Sequence, residues 1–149
     1  MSYSYKIINS SAGSGKTFYL AIEFIAQLLN SKKDDHYKSM LALTFTNKAS
    51  AEMKDRILSY LNIIVNENEN VIIDIVTSKT TLNNTEIKEK AFRILENILY
   101  NYSSFNVMTI DSFTNNILKS FKPESDIEKE YLVELDSMVY IDQAIDDIF

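Results

Sequence analysis

The chain has 149 residues, no cysteine and a formal charge of -6, with 46% hydrophobic and 24% charged residues. That is the length of one domain, enough to bury roughly 68–70% of its unfolded surface, and the composition is that of a globular rather than a disordered chain. The lack of cysteine excludes a disulfide framework or thiolate metal centre and is compatible with a reducing compartment; the acidic balance argues against a uniformly basic nucleic-acid binder but says nothing of a local patch.

No apolar run reaches the roughly 18 residues that a membrane span needs, and the N-terminus has no basic region leading into an apolar one. The chain is therefore expected to be cytoplasmic, with no membrane partner. Its single histidine, His36, sits in the polar run Asp34-Asp35-His36-Tyr37 and reads as a solvated surface residue.

In chain order, Tyr5-Lys6-Ile7-Ile8-Asn9 reads as a short strand and leads into Ser10-Ser11-Ala12-Gly13-Ser14-Gly15-Lys16-Thr17. Both glycines of the chain, Gly13 and Gly15, fall inside these eight positions. The run follows the phosphate-binding pattern G-x-x-x-x-G-K-[ST], with Ser10 in place of the first glycine. Glycine permits positive φ and close backbone approach, so that successive N–H groups can turn onto phosphate oxygens. Lys16 is then expected to reach the β- and γ-phosphates of ATP and the Thr17 hydroxyl to take one position on Mg²⁺. Phe18 to Leu29 follows as a helix, with Phe18, Ala21, Phe24 or Ile25, and Leu28 on one apolar side. Its N-terminus would aim unpaired N–H groups and the positive end of its dipole at the loop.

Asn30 to Ser39 reads as a polar connector, and Met40-Leu41-Ala42-Leu43-Thr44-Phe45 as a second strand buried on both faces of a parallel sheet. Thr46 or Asn47 can cap the next helix, whose buried stripe is Ala49, Met53, Ile57 and Tyr60 or Leu61, with Glu52, Lys54, Asp55 and Arg56 facing water. The order β-α-β-α implies right-handed crossovers and helices packed on a parallel sheet.

From Asn62 to Asn84 the pattern weakens. An insertion or connector is expected there, and Val71 to Val76 reads as strand or helix. Thr85 resembles an N-cap for a helix running to about Tyr100, with Ile87, Ala91, Ile94 or Leu95, and Ile98 on its apolar side. Phe105-Asn106-Val107-Met108-Thr109-Ile110 is the third strand, ended by Asp111 or Ser112 as the cap of a helix from Phe113 to Phe121. Pro123 closes that unit. Farther on, Met138-Val139-Tyr140-Ile141-Asp142 has the form of a Walker B strand, but Met138, Ile141, Ile145 and Ile148 repeat at helical spacing and favour an amphipathic helix. Val71-Ile72-Ile73-Asp74 is the other weak Walker B candidate.

Three segments, in order, carry a family resemblance: Ser11 to Thr17, the run Leu-Ala-Leu-Thr-Phe-Thr-Asn-Lys-Ala-Ser-Ala-Glu-Met-Lys-Asp-Arg-Ile at 41 to 57, and Val-Met-Thr-Ile-Asp-Ser-Phe at 107 to 113. Together they resemble the Walker A, Ia and Ic motifs of UvrD/RecB/AddA-type superfamily-one DNA helicases. The middle segment is the most specific. So few residues precede the loop that the adenine-reading glutamine motif has no room, which resembles the RecB/AddA-like branch.

What the resemblance implies is an α/β fold, a P-loop NTPase (RecA-like) parallel sheet with helices on both faces, incomplete over residues 1–121, with residues 122–149 beginning an inserted helical subdomain. The implied activity is ATP-dependent 3′ to 5′ movement on single-stranded DNA, with ATP and Mg²⁺ held by Ser10, Ser11, Ala12, Gly13, Ser14, Gly15, Lys16 and Thr17, and Lys16 as the catalytic lysine. Phe45, Thr46, Asn47, Thr109 and Ser112 would contact DNA, all at strand C-terminal ends where open α/β sheets bind ligands. Phe45 reads equally as a base-stacking residue or as core. Family members often carry histidine where this chain has Asp111; a carboxylate there repels phosphate, which leaves helix capping as the alternative. No convincing acidic Walker B pair or arginine finger is present. The chain is thus expected to be the N-terminal piece of a longer helicase, joined to the rest of that chain and a nuclease domain or subunit, inactive alone and able to self-associate through an open sheet edge. A small P-loop kinase and a non-catalytic nucleotide-binding docking module are the rival readings.

Overall fold

A computed structural model of the protein describes Ile7 and residues 15–121. The expected strand at Tyr5–Asn9, the loop residues Ser10, Ser11, Ala12, Gly13 and Ser14, Pro123, and the Met138–Asp142 segment lie outside the described residues, apart from Ile7. Among the described residues, seven helices and strands follow in order: α1 (Lys16–Asn30), β1 (Ala42–Thr44), α2 (Asn47–Asn66), α3 (Val71–Thr77), α4 (Asn84–Tyr100), β2 (Val107–Thr109) and α5 (Ile110–Ser120). Single 3₁₀ turns at His36–Ser39 and Tyr102–Ser104 lead toward the two strands. By contact the chain divides into two units, Met1–Phe113 and Thr114–Phe149, with the boundary inside α5.

β1 and β2 are parallel, with Ala42 opposite Val107, Leu43 opposite Met108 and Thr44 opposite Thr109. The architecture is accordingly α/β, and α-rich. α2 is its hub and packs against α1, α3, α4 and both strands. Met53, Ile57, Leu61 and Ile64 recur at three- and four-residue spacing along α2 and are all buried. The expected face of α4 is also the buried one: Ile87, Ala91, Ile94 and Ile98. Ala21, Ile22, Phe24, Ile25, Leu28 and Leu29 of α1 complete the centre, where Phe24 meets Phe105 edge to face at 5.9 Å.

Several sequence expectations change. The strand read over Met40–Phe45 is shorter and not buried on both faces: Leu41 and Leu43 are 45% and 42% exposed. Its residues alternate, with Ala42 and Thr44 more covered than Leu43, and that alternation belongs to a sheet covered on one face. The polar connector before it carries a core residue, since Tyr37 is fully buried and its hydroxyl donates to the Asn97 carbonyl at 2.8 Å.

Val71–Val76 is helix, not strand. Asn70 caps it by accepting the Ile72 N–H at 3.0 Å, and Ile72, Ile73 and Val76 reach the core. Helix α4 is capped at Asn83 rather than Thr85: Asn83 accepts the Glu86 N–H at 3.0 Å while the Glu86 carboxylate accepts the Asn83 N–H at 2.8 Å. This reciprocal box satisfies two backbone donors that a single Thr85 cap would leave. Helix α5 starts at Ile110, directly after β2, so its cap is neither Asp111 nor Ser112. Thr109 Oγ1 accepts the Ser112 N–H at 3.2 Å, and Asp111 sits in the first turn.

Long polar side chains tie these elements together. Lys79 of the α3–α4 loop pairs with Glu23 of α1 at 2.6 Å, and Arg93 of α4 bonds Asp34 at 2.7 Å. Lys90 donates to the Ser31 carbonyl at the end of α1. A cation near a helix C-terminus also meets the negative end of its dipole.

Candidate functional site

Helix α1 begins with a residue that few amino acids could replace. Gly15 is at the N-cap with φ 83° and ψ 18°, the left-handed region, and its carbonyl accepts the first helical hydrogen bond, from Tyr19 N–H at 2.9 Å. A Cβ built on Gly15 would meet nothing within 4 Å. The requirement for glycine is therefore one of backbone conformation rather than space. Among the described residues no side chain caps this helix, and its first turn holds no acidic residue. Both features suit the positive end of the helix to an anion.

Lys16 and Thr17 are the first two residues of that helix. With Gly15, Phe18 and Arg56 they line a cleft of about 370 Å³. Phe18 also packs edge to face on Tyr60 of α2, ring centres 5.7 Å apart, which holds α2 against the start of α1. Arg56 is exposed, as expected for the water-facing side of α2, and it also lines this cleft, a place that sequence reasoning did not assign it. The available signal was spacing: Arg56 lies one turn before Tyr60, on the edge of the buried stripe that turns toward α1.

Chemically, the described lining residues of the cleft offer a lysine ammonium, an arginine guanidinium, a threonine hydroxyl and a helix start, and none of them is a carboxylate. That donor set suits a phosphorylated ligand. Among the described residues no group of three or more His, Asp or Glu side chains gathers to hold a metal. A magnesium ion arriving on a nucleotide keeps most of its ligands from phosphate and water, and one hydroxyl, such as that of Thr17, fits such a shell.

The other predicted site residues form a second group. Because Thr44 is opposite Thr109, the C-terminal ends of β1 and β2 lie side by side, and α2 and α5 both start there. Phe45 is 88% exposed and therefore not core. Thr46 caps α2, its Oγ1 accepting the Ala49 N–H at 3.1 Å, and Asn47 is the exposed first residue of that helix. Thr109 is only 6% exposed, and its hydroxyl is 2.8 Å from that of Ser112, which is exposed. The structure thus brings Phe45, Thr46, Asn47, Thr109 and Ser112 to one edge of the sheet. Lys16, Thr17 and Arg56 sit at the cleft, joined to that edge through α2. Arg56 lies nine residues beyond Asn47, about 14 Å along the helix axis.

The site so assembled is that of an α/β chain with a cleft suited to phosphate at one helix start and an exposed aromatic at a strand edge reached along α2. The chain belongs to the UvrD/REP helicase N-terminal domain family, whose model matches residues 3–147. It is 26% identical over 97% of its length to an ATP-dependent helicase/nuclease subunit of Natranaerobius thermophilus, and 28% identical over 95% to the subunit of the same name from Listeria innocua. The RecB subunit of the RecBCD enzyme of Buchnera aphidicola is 29% identical over 97% of the chain. The chain spans 10% of the length of the first two relatives and 13% of the third. No solved structure matches it.

Proposed function

We propose that this chain is the N-terminal ATP-binding portion of an ATP-dependent DNA helicase, with a P-loop over Ser10–Thr17 as its nucleotide site and the strand edge as its single-stranded DNA track. The observation that carries the reading is Gly15 at positive φ introducing Lys16 and Thr17 into a cleft whose described lining residues include no carboxylate, in a chain of the UvrD/REP family. Lys16 neutralises charge on the β- and γ-phosphates, Thr17 contributes a ligand to Mg²⁺, and ATP supplies the phosphoryl chemistry when bound. Phe45, Thr46, Asn47, Thr109 and Ser112 engage DNA, movement runs 3′ to 5′, and the partners are the remainder of a longer helicase chain and a nuclease domain or subunit. RecA-like topology, with residues 1–121 as motor portion and 122–149 as the start of an insertion, belongs to the same reading.

The test is binding of a fluorescent ATP analogue by the 149-residue chain, with and without oligothymidylate. Binding weakened at least about tenfold by Lys16→Ala, and changed in affinity by DNA, is the expected result. Nucleotide binding indifferent to Lys16 overturns the reading.

A further inference from the structure

Helix α4 has more apolar surface than its core side uses. Ile87, Ala91, Ile94 and Ile98 are buried, yet Phe92, Leu95 and Leu99 recur at three- and four-residue spacing along an adjoining side. Phe92 is 47% and Leu99 59% exposed, with Leu95 partly buried between them. Single exposed apolar residues are ordinary, whereas a row at i, i+3 and i+7 is the pattern by which one helix grips another.

Charge narrows the occupant. Glu89 and Glu96, exposed and one heptad apart, border the row on the side away from the core. The three cations of α4 are engaged within the chain: Lys88 donates to Asn68 Oδ1 at 2.8 Å, Arg93 to Asp34 Oδ2 at 2.7 Å, and Lys90 to the Ser31 carbonyl. What this side offers a partner is therefore apolar contact with a negative border.

We propose that the Phe92–Leu95–Leu99 side of α4 is a docking surface for one helix of another polypeptide, amphipathic and bordered by lysine or arginine. Three side chains on one helix fall far short of the roughly 800 Å² per partner of a stable domain-sized interface, so the occupant is the size of a helix. A second copy is disfavoured, because a two-fold antiparallel self-pair turns the glutamate border on itself and each copy carries a charge of -6. Within the chain, the amphipathic run at 138–148 holds Asp142, Asp146 and Asp147 and no lysine or arginine, so it does not complement the border either. None of the residues invoked belongs to the proposed nucleotide or DNA site, so the inference stands or falls apart from that reading.

The experiment titrates the 149-residue chain into two fluorescein-labelled three-heptad peptides, leucine at a and d, bordered by lysine in one and by glutamate in the other. Salt at about 0.15 M screens attraction at a distance. Wild type is expected to prefer the lysine peptide by about tenfold, and Leu99→Ser to weaken that binding by about tenfold. Joint exchange of Glu89→Lys and Glu96→Lys is expected to reverse the preference while the chain stays acidic overall. Circular dichroism checks folding, and should Leu99→Ser not fold, the glutamate exchange decides. Failure to bind either peptide, equal affinity for both, affinity unchanged in folded Leu99→Ser, or a preference that survives the glutamate exchange overturns the inference. So does a wild-type dimer in sedimentation that Leu99→Ser dissociates, since that gives the surface to a second copy.

Discussion

Gly15 shows how much a single backbone angle can carry. Its φ of 83° lies where a Cβ is strained, yet the space around a built Cβ is open. Gly15→Ala is therefore expected to cost about 1–2 kcal/mol from backbone strain alone, read as a lower urea midpoint with unchanged m-value. Nucleotide affinity is expected to fall with it, because relief of the strain turns the peptide away from the cleft. At the same scale Phe45 and Arg56 mark the edge of what a linear pattern can decide. An aromatic after a strand serves equally as core or as contact, and only its 88% exposure separates the two. Arg56 is solvent-exposed as its helix pattern indicates, and only the placing of the start of α1 beside it shows that it also lines a cleft.

The start of α4 is set by reciprocity rather than by residue type alone. Asn83 and Glu86 satisfy each other's backbone donors, whereas Thr85 is simply a good capping residue inside the first turn. Asn83→Ala is expected to destabilise the chain by about 1 kcal/mol, and Thr85→Ala by much less, in parallel urea titrations. The α3 segment teaches a related lesson. Six apolar-rich residues suit either period, and the choice falls to helix because Asn70 supplies a cap and Ile72, Ile73 and Val76 share one face toward the core. With Asp74 in that helix, the Val71–Asp74 run does not form the magnesium-holding strand end that a Walker B motif requires.

For the whole molecule, the expectation is a lack of turnover by the isolated chain. The described lining residues of the cleft include no carboxylate able to orient or deprotonate an attacking water. The isolated chain is expected to show steady-state phosphate release no faster than Lys16→Ala, in a coupled-phosphate assay with saturating oligothymidylate. Robust turnover lost on that substitution would contradict this expectation. The rival kinase reading has lost its ground, since the family match runs across residues 3–147 and the relatives are helicase and nuclease subunits.

Periodicity alone determined the faces of α2 and α4, because burial on a helix repeats every three to four residues and Met53, Ile57, Leu61, Ile87, Ala91, Ile94 and Ile98 obey that repeat without outside help. Motif spacing likewise marked Gly15, Lys16 and Thr17, since phosphate chemistry demands those residue types at a helix start. Tertiary structure decided what depends on neighbours distant in the chain: that Tyr37 is core, that Leu43 is half exposed, that Arg56 lines the cleft, and that Phe45 is left bare at the strand edge. Those outcomes follow from the β1–β2 register and the packing of α2 against α1, and no local pattern encodes which remote surface arrives to cover, or to leave bare, a given side chain.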